Sequence, residues 1–369
     1  MIDFRYHLVS LISVFLALAV GIVLGAGPLK ESIGDTLTGE VDTLRQRAAD
    51  LRVELDGVNA ELGRSQDAWA AVADDLVEGT MQDRRVAVVV VGDPADAAVE
   101  QVATRLVEAG ATVTATVRVQ DAWTDPTRST FRQTLAGTLV DYLDPVPEPG
   151  SGATVDLAEA LVQALARAVP TDPDALAEDA GVVLQLLVDS ELVEVAAEVT
   201  LPADGIVVVA GPADGLLEQD VDASATPEPE ELDRLDLWIE SVREIALAGI
   251  ARTRGTVVAG SDPVDGGLLD QIREAAGTAS RVSTVSHVDT LVGQVSAVLA
   301  LAERMSGATG HYGPEDGATA PVPPRVVLPP LVRVPLPEAA DQDATDGDAT
   351  GDATGDGTGD GAGAAEPTG

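Results

Sequence analysis

The chain has 369 residues and sets 62 acidic side chains against 22 basic ones, a formal charge of −40. Like charge repels, so nucleic acid is excluded as a partner. There is no cysteine, which excludes disulfides, thiolate metal sites and cysteine nucleophiles, and only 3 histidines and 3 methionines remain as borderline or soft metal ligands.

From Leu8 to Leu29 the chain carries no charge and reads LVSLISVFLALAVGIVLGAGPL. A helix of that length spans about 30 Å, the thickness of a bilayer core. Arg5, Tyr6 and His7 flank one end and Lys30 the other. A cleaved signal peptide is the rival, but the apolar run is too long for one and Pro28 disfavours cleavage after the small patch 25–27. The reading is an uncleaved anchor over 1–30. Gly21 and Gly25 form a GxxxG pair suited to close helix packing. Charge near the two ends favours a short tail kept inside and the bulk of the chain exported.

The sharpest periodicity follows. Leu37, Val41, Leu44, Ala48, Leu51, Leu55, Val58 and Leu62 recur at alternating spacings of four and three, and Ser65, Trp69, Val72 and Leu76 extend the series. Such a heptad seam predicts a coiled-coil stalk over 34–80 and a homo-oligomer through it. A long helix packed on its own globular domain is the alternative. Across a parallel seam Glu40 can pair with Arg45, whereas Arg47 would face Arg52.

From residue 84 the pattern changes to α/β. A β-branched run over 85–91 reads as a strand buried on both faces. It is broken by Gly92-Asp93-Pro94, followed by a helix over 95–109 and a second strand over 111–119. Strands are expected again at 206–210, 256–259 and 281–285. Helices are expected near 126–142, 155–169, 181–191, 232–250, 268–276 and 288–304. Alternating strands and helices predict a mostly parallel, three-layer α/β domain over 84–306.

Three strand ends carry an acid: Asp93, Asp214 and Asp262. In open α/β sheets ligands lie beyond these ends, and three carboxylates can hold a hard cation. The plainer reading is turn and helix-cap chemistry. No GxGxxG, Walker or GxSxG motif occurs, so no cofactor is evident and no enzyme is expected.

Beyond residue 306, Gly310-His311-Tyr312-Gly313 reads as a turn with an aromatic anchor or as a functional loop. Seven prolines lie within 321–337, predicting an extended segment lying on the body over 307–337. Residues 338–369 are acidic, glycine-rich and free of basic side chains, as expected of a disordered tail.

The opening MIDFRYHLVSLISVFLALAVGIVLGAGPL, the segment VSTVSHVDT and the later GHYG resemble the actinobacterial MctB-like copper transport protein family. So does the order of parts across about 1–335. The resemblance implies a cell-envelope protein, described as a channel-forming outer-membrane component that limits intracellular copper. Copper thus enters only by resemblance, as transported ion. Other envelope proteins are admissible partners. No ligand set comes with the resemblance. Met1, Met81 and Met305, like His7, His287 and His311, lie far apart in sequence, so no metal site is assigned. A chain with nine aromatics (3 Trp, 3 Tyr, 3 Phe) and one apolar span does not read as a β-barrel.

Overall fold

The computed structural model describes residues 4–26, 28–211, 229–261 and 267–335. Asp214, Asp262 and the acidic tail lie outside the described residues, as do the side chains of Leu29 and Leu37.

Helix α1 (Phe4–Ala26) is apolar over Phe4–Val23, a length that can cross a membrane, and none of that window is buried. Helix α2 (Pro28–Val77) has 50 residues and so rises about 75 Å. Gly21 lies on α1 with no atom within 4 Å of a Cβ position, and Gly25 falls in the same helix.

The body is built on a seven-stranded sheet. Its strands are β1 (Arg85–Val91), β2 (Thr112–Val119), β5 (Val193–Val195), β6 (Gly205–Ala210), β7 (Thr256–Ala259), β8 (Ser283–Val285) and β9 (His311–Tyr312). The order is β5-β2-β1-β6-β7-β8-β9, and every pairing is parallel except β5 on β2. Strands β1, β6 and β7 are near-continuous Val/Ala runs because helices cover both faces. A separate hairpin pairs β3 (Ala168–Val169) with β4 (Asp172–Leu176).

The remaining helices are α3 (Asp96–Glu108), α4 (Ser129–Leu139), α5 (Ala153–Ala166), α6 (Glu178–Asp189), α7 (Pro229–Arg252), α8 (Leu268–Glu274) and α9 (Leu291–Met305). One core cluster joins Val89, Val208 and Val258 to α4, α5, α6, α7 and α8, with Trp123 and Trp238 as its aromatics. The other joins Val88, Val207 and Val257 to α3, α9 and the end of α2. Alternate residues of one strand thus serve opposite layers. The expected mostly parallel α/β architecture is observed.

Two local differences from the sequence reading have physical causes. The helix expected to reach 169 stops at Ala166, and Arg167 is already extended, with ψ at 112°. Pro170 disfavours helix at Val169, which instead ends the first strand of the hairpin. The last strand is His311–Tyr312, short enough to pass for a loop in the sequence.

The proline-rich segment lies along the body. Arg325 donates through Nε to the Leu76 carbonyl at 3.1 Å and through a second nitrogen to the Glu78 carbonyl at 2.7 Å. Arg84 donates to the Pro329 carbonyl at 2.6 Å, and Leu328 is buried. Carbonyls near the C-terminal end of a helix have no partner within it, so Arg325 also caps α2.

Candidate functional site

The strand order reverses between β1 and β6, with β2 on one side and β7 on the other. Gly92, at φ +74, ends β1 with a Cβ position 3.3 Å from the Trp238 indole nitrogen. A Cβ on Gly211, just after β6, would stand 2.7 Å from the Asp93 amide nitrogen. Gly92 is thus favoured by its left-handed backbone, and Gly211 is required by close approach of the neighbouring main chain. Asp93 is exposed beside the buried Pro94. Its two expected companions lie outside the described residues.

A second concentration of polar groups lies where β8 meets β9. Arg273 of α8 donates from Nε to Thr284 Oγ1 at 2.8 Å and pairs with Glu315 at 2.5 Å. Ser286 donates its hydroxyl to the other Glu315 oxygen at 2.8 Å. With that proton committed, the 3.0 Å contact from His287 Nδ1 is a donation to Ser286 Oγ. His311 Nε2 lies 3.0 Å from the Ala279 carbonyl and so carries the proton. Its Nδ1, 3.0 Å from Thr284 Oγ1, is then the acceptor. A directed chain runs from Arg273 through Thr284 and His311 to Ala279. Burial holds the His311 ring below the usual histidine value, with Arg273 acting in the same direction against the Ala279 hydrogen bond.

Burial alone would raise Glu315, but hydrogen bonds from Ser286 and Arg273 bring it below the ordinary glutamate value. Tyr312 donates its hydroxyl to Glu303, and burial followed by that carboxylate raises the phenol strongly. Gly310 and Gly313 are where they are because a Cβ would overlap the Tyr312 phenol at one and the Ser286 and Glu315 oxygens at the other. GHYG is therefore an aromatic anchor with its clearance built in, and VSTVSHVDT supplies the groups it binds.

This network does not resemble a metal centre. Arg273 occupies the position of charge, and both nitrogens of His311 are engaged. Met81 is fully buried, and Met305 packs against the same core cluster. Among the described residues no group of three or more His, Cys, Asp or Glu side chains is placed to hold a metal ion. Ser286 is buried and gives its proton to a carboxylate already paired with arginine.

The heptad positions behave differently. Val41, Leu44, Leu51, Leu55, Val58 and Leu62 are between 42% and 60% exposed. The helix docks on the body through Ala73 and Val77, both fully buried, against α9. The heptad position Leu76 packs beside them against the same cluster. Ala73 stands 11 residues past Leu62, a net turn of about 20°, so the docking face continues the stripe that the exposed positions mark out. Arg45 pairs within the helix with Asp42 at 3.1 Å.

Comparison with known proteins follows this layout. The sequence profile described as "Copper transport outer membrane protein, MctB" matches residues 1–323. The protein named copper transporter MctB of Mycobacterium leprae is 29% identical over 349 residues, covering 86% of this chain and 98% of that one. That of Mycobacterium tuberculosis is 27% identical over 327 residues, with the same two coverages. From its apolar first helix to the GHYG anchor, the chain belongs to the MctB family of copper transport proteins.

Proposed function

We propose that this protein is a single-pass cell-envelope component of copper transport that limits intracellular copper. In this reading it works as an assembly at the membrane and not through a metal centre in one body. The observation that carries it is the exposed apolar span Phe4–Val23, the first element of a chain whose named relatives are copper transporters. One helix encloses no path. Copies joined along the exposed α2 seam would gather their α1 helices, with Ser10 and Ser13 as the polar positions inside. Ser13 already donates to the Val9 carbonyl at 2.8 Å, which keeps its hydroxyl satisfied in an apolar medium.

The test is cell-associated copper in a strain lacking the gene, complemented with the full chain or with residues 31–369 exported in soluble form. Rescue by the anchored form alone is the expected result. If deletion leaves copper unchanged, the transport reading fails.

A second reading is favoured by the same exposed seam: a bitopic scaffold that recruits envelope partners, with copper effects indirect. Oligomers that persist without α1 but not without the seam, together with unaltered copper in the deletion strain, would support it.

A further inference from the structure

At the antiparallel end of the sheet, β5 is an edge strand: β2 pairs with one side, and among the described residues nothing pairs with the other. The register fixes which backbone groups are open. Gln120 donates to the Leu192 carbonyl at 2.9 Å and Ala196 to the Thr116 carbonyl at 3.4 Å, while Arg118 sits opposite Glu194. Residues 192, 194 and 196 thus turn their backbone groups toward β2. The N–H and C=O groups of Val193 and Val195 therefore point outward.

Val193, Glu194 and Val195 also line a cleft of about 630 Å³. Asp121 and Asp125, after β2, line it together with Glu191 and Glu194, and Arg128 is the one basic side chain on the lining. Arg128 is occupied by Glu191 at 3.1 Å. Hydrogen bonds from the side chain and the backbone of Thr127 favour the ionised form of Asp125 and draw its carboxyl below the ordinary aspartate value. The lining keeps a net negative charge around unpaired strand edges.

We propose that this cleft takes an extended, lysine- or arginine-bearing segment of a partner protein, added as a strand beside β5. Main-chain bonds to Val193 and Val195 supply register, and the carboxylates select basic side chains at alternate positions. Charge rules out two nearer occupants. The chain's own tail, 338–369, is acidic and has no basic residue. A second β5 pairing antiparallel about Glu194 would set that carboxylate against its own copy, and like charges directly opposite destabilise a strand pair.

The test uses the full chain in detergent micelles, a short peptide alternating lysine and valine, and its glutamate counterpart as control. Expected results are binding of the lysine peptide only, with slowed amide exchange at Val193 and Val195. Val195→Pro removes an outward N–H without touching the β2 ladder, and should weaken binding by about tenfold. Asp121→Lys, which leaves the backbone intact, should shift preference toward the glutamate peptide. Equal binding of both peptides, or binding without protection at these two amides, overturns the proposal. Protection at both amides without peptide, lost on dilution, assigns the edge to a second copy and overturns it too.

Discussion

The Arg333 guanidinium donates to Asp204 Oδ2, the same oxygen that accepts the Arg85 backbone N–H at 2.9 Å. One carboxylate thus ties the start of β1 to the proline-rich segment. Its side chain is 13% exposed and that of Arg333 18%. Asp204→Ala leaves an amide and a guanidinium without this acceptor, and is expected to cost about 2–4 kcal/mol. Chemical denaturation of the variant measures it, and Arg333→Ala should cost less because the Arg85 bond survives.

A side chain at residue 310 has no room beside the Tyr312 phenol, whose Cε2 would lie 2.9 Å from a Cβ there. Gly310→Ala should therefore cost about 1–3 kcal/mol by overpacking. Combining it with Tyr312→Ala should recover part of that loss in a double-mutant cycle. Purely additive losses would place the strain elsewhere.

The β8–β9 network gives the body a two-stage acid response. His311 has a folded value below its ordinary 6.5, so its contribution is complete above about pH 6.5 and falls away as pH drops through that value toward the folded one. Glu315 has a folded value below 4.5, so its contribution is present above 4.5 and is lost as pH falls through the folded value. In melting curves against pH, His311→Asn should flatten the upper stage and Glu315→Gln the lower. A His311→Asn curve parallel to the parent's would remove His311 as the source.

Leu51→Asp with Leu55→Asp places two charges on an exposed seam. If copies pair there, mass measurement should show subunits separating at concentrations where the parent is assembled. The body's melting temperature should move by less than about 2 °C, since neither residue touches the core. Assembly that survives both substitutions would take the seam out of the interface.

Periodicity and β-branching made the apolar helix, the α2 pattern and strands β1, β2, β6 and β7 legible, because those signals are local. What escaped was set by distance along the chain. Strand β5 is three residues long and is defined by its partner Val117–Val119, so nothing in Val-Glu-Val alone announces an edge. Gly313 looks like a turn residue until Ser286 and Glu315 are seen to fill the place of its side chain. His287 and His311, remote in sequence, enter one network through Arg273, Thr284 and Glu315, a convergence that only the fold creates. Of the three strand-end acids, Asp93 is exposed at the reversal of strand order, and no pattern in the sequence distinguishes a ligand there from a turn.

Helix α2 carries its exposed stripe and its grip on the body along one line, with Arg325 closing the grip from outside. The body is therefore a stop on the stalk. A partner helix can follow the stripe from Val41 to Leu62, but from Ala73 onward α9 already occupies that side. Wherever two stalks mate, the place at which the body grips α2 sets how far the pairing runs. One residue inserted between Leu62 and Ala73 would turn the two parts of the line about 100° apart and lift that stop.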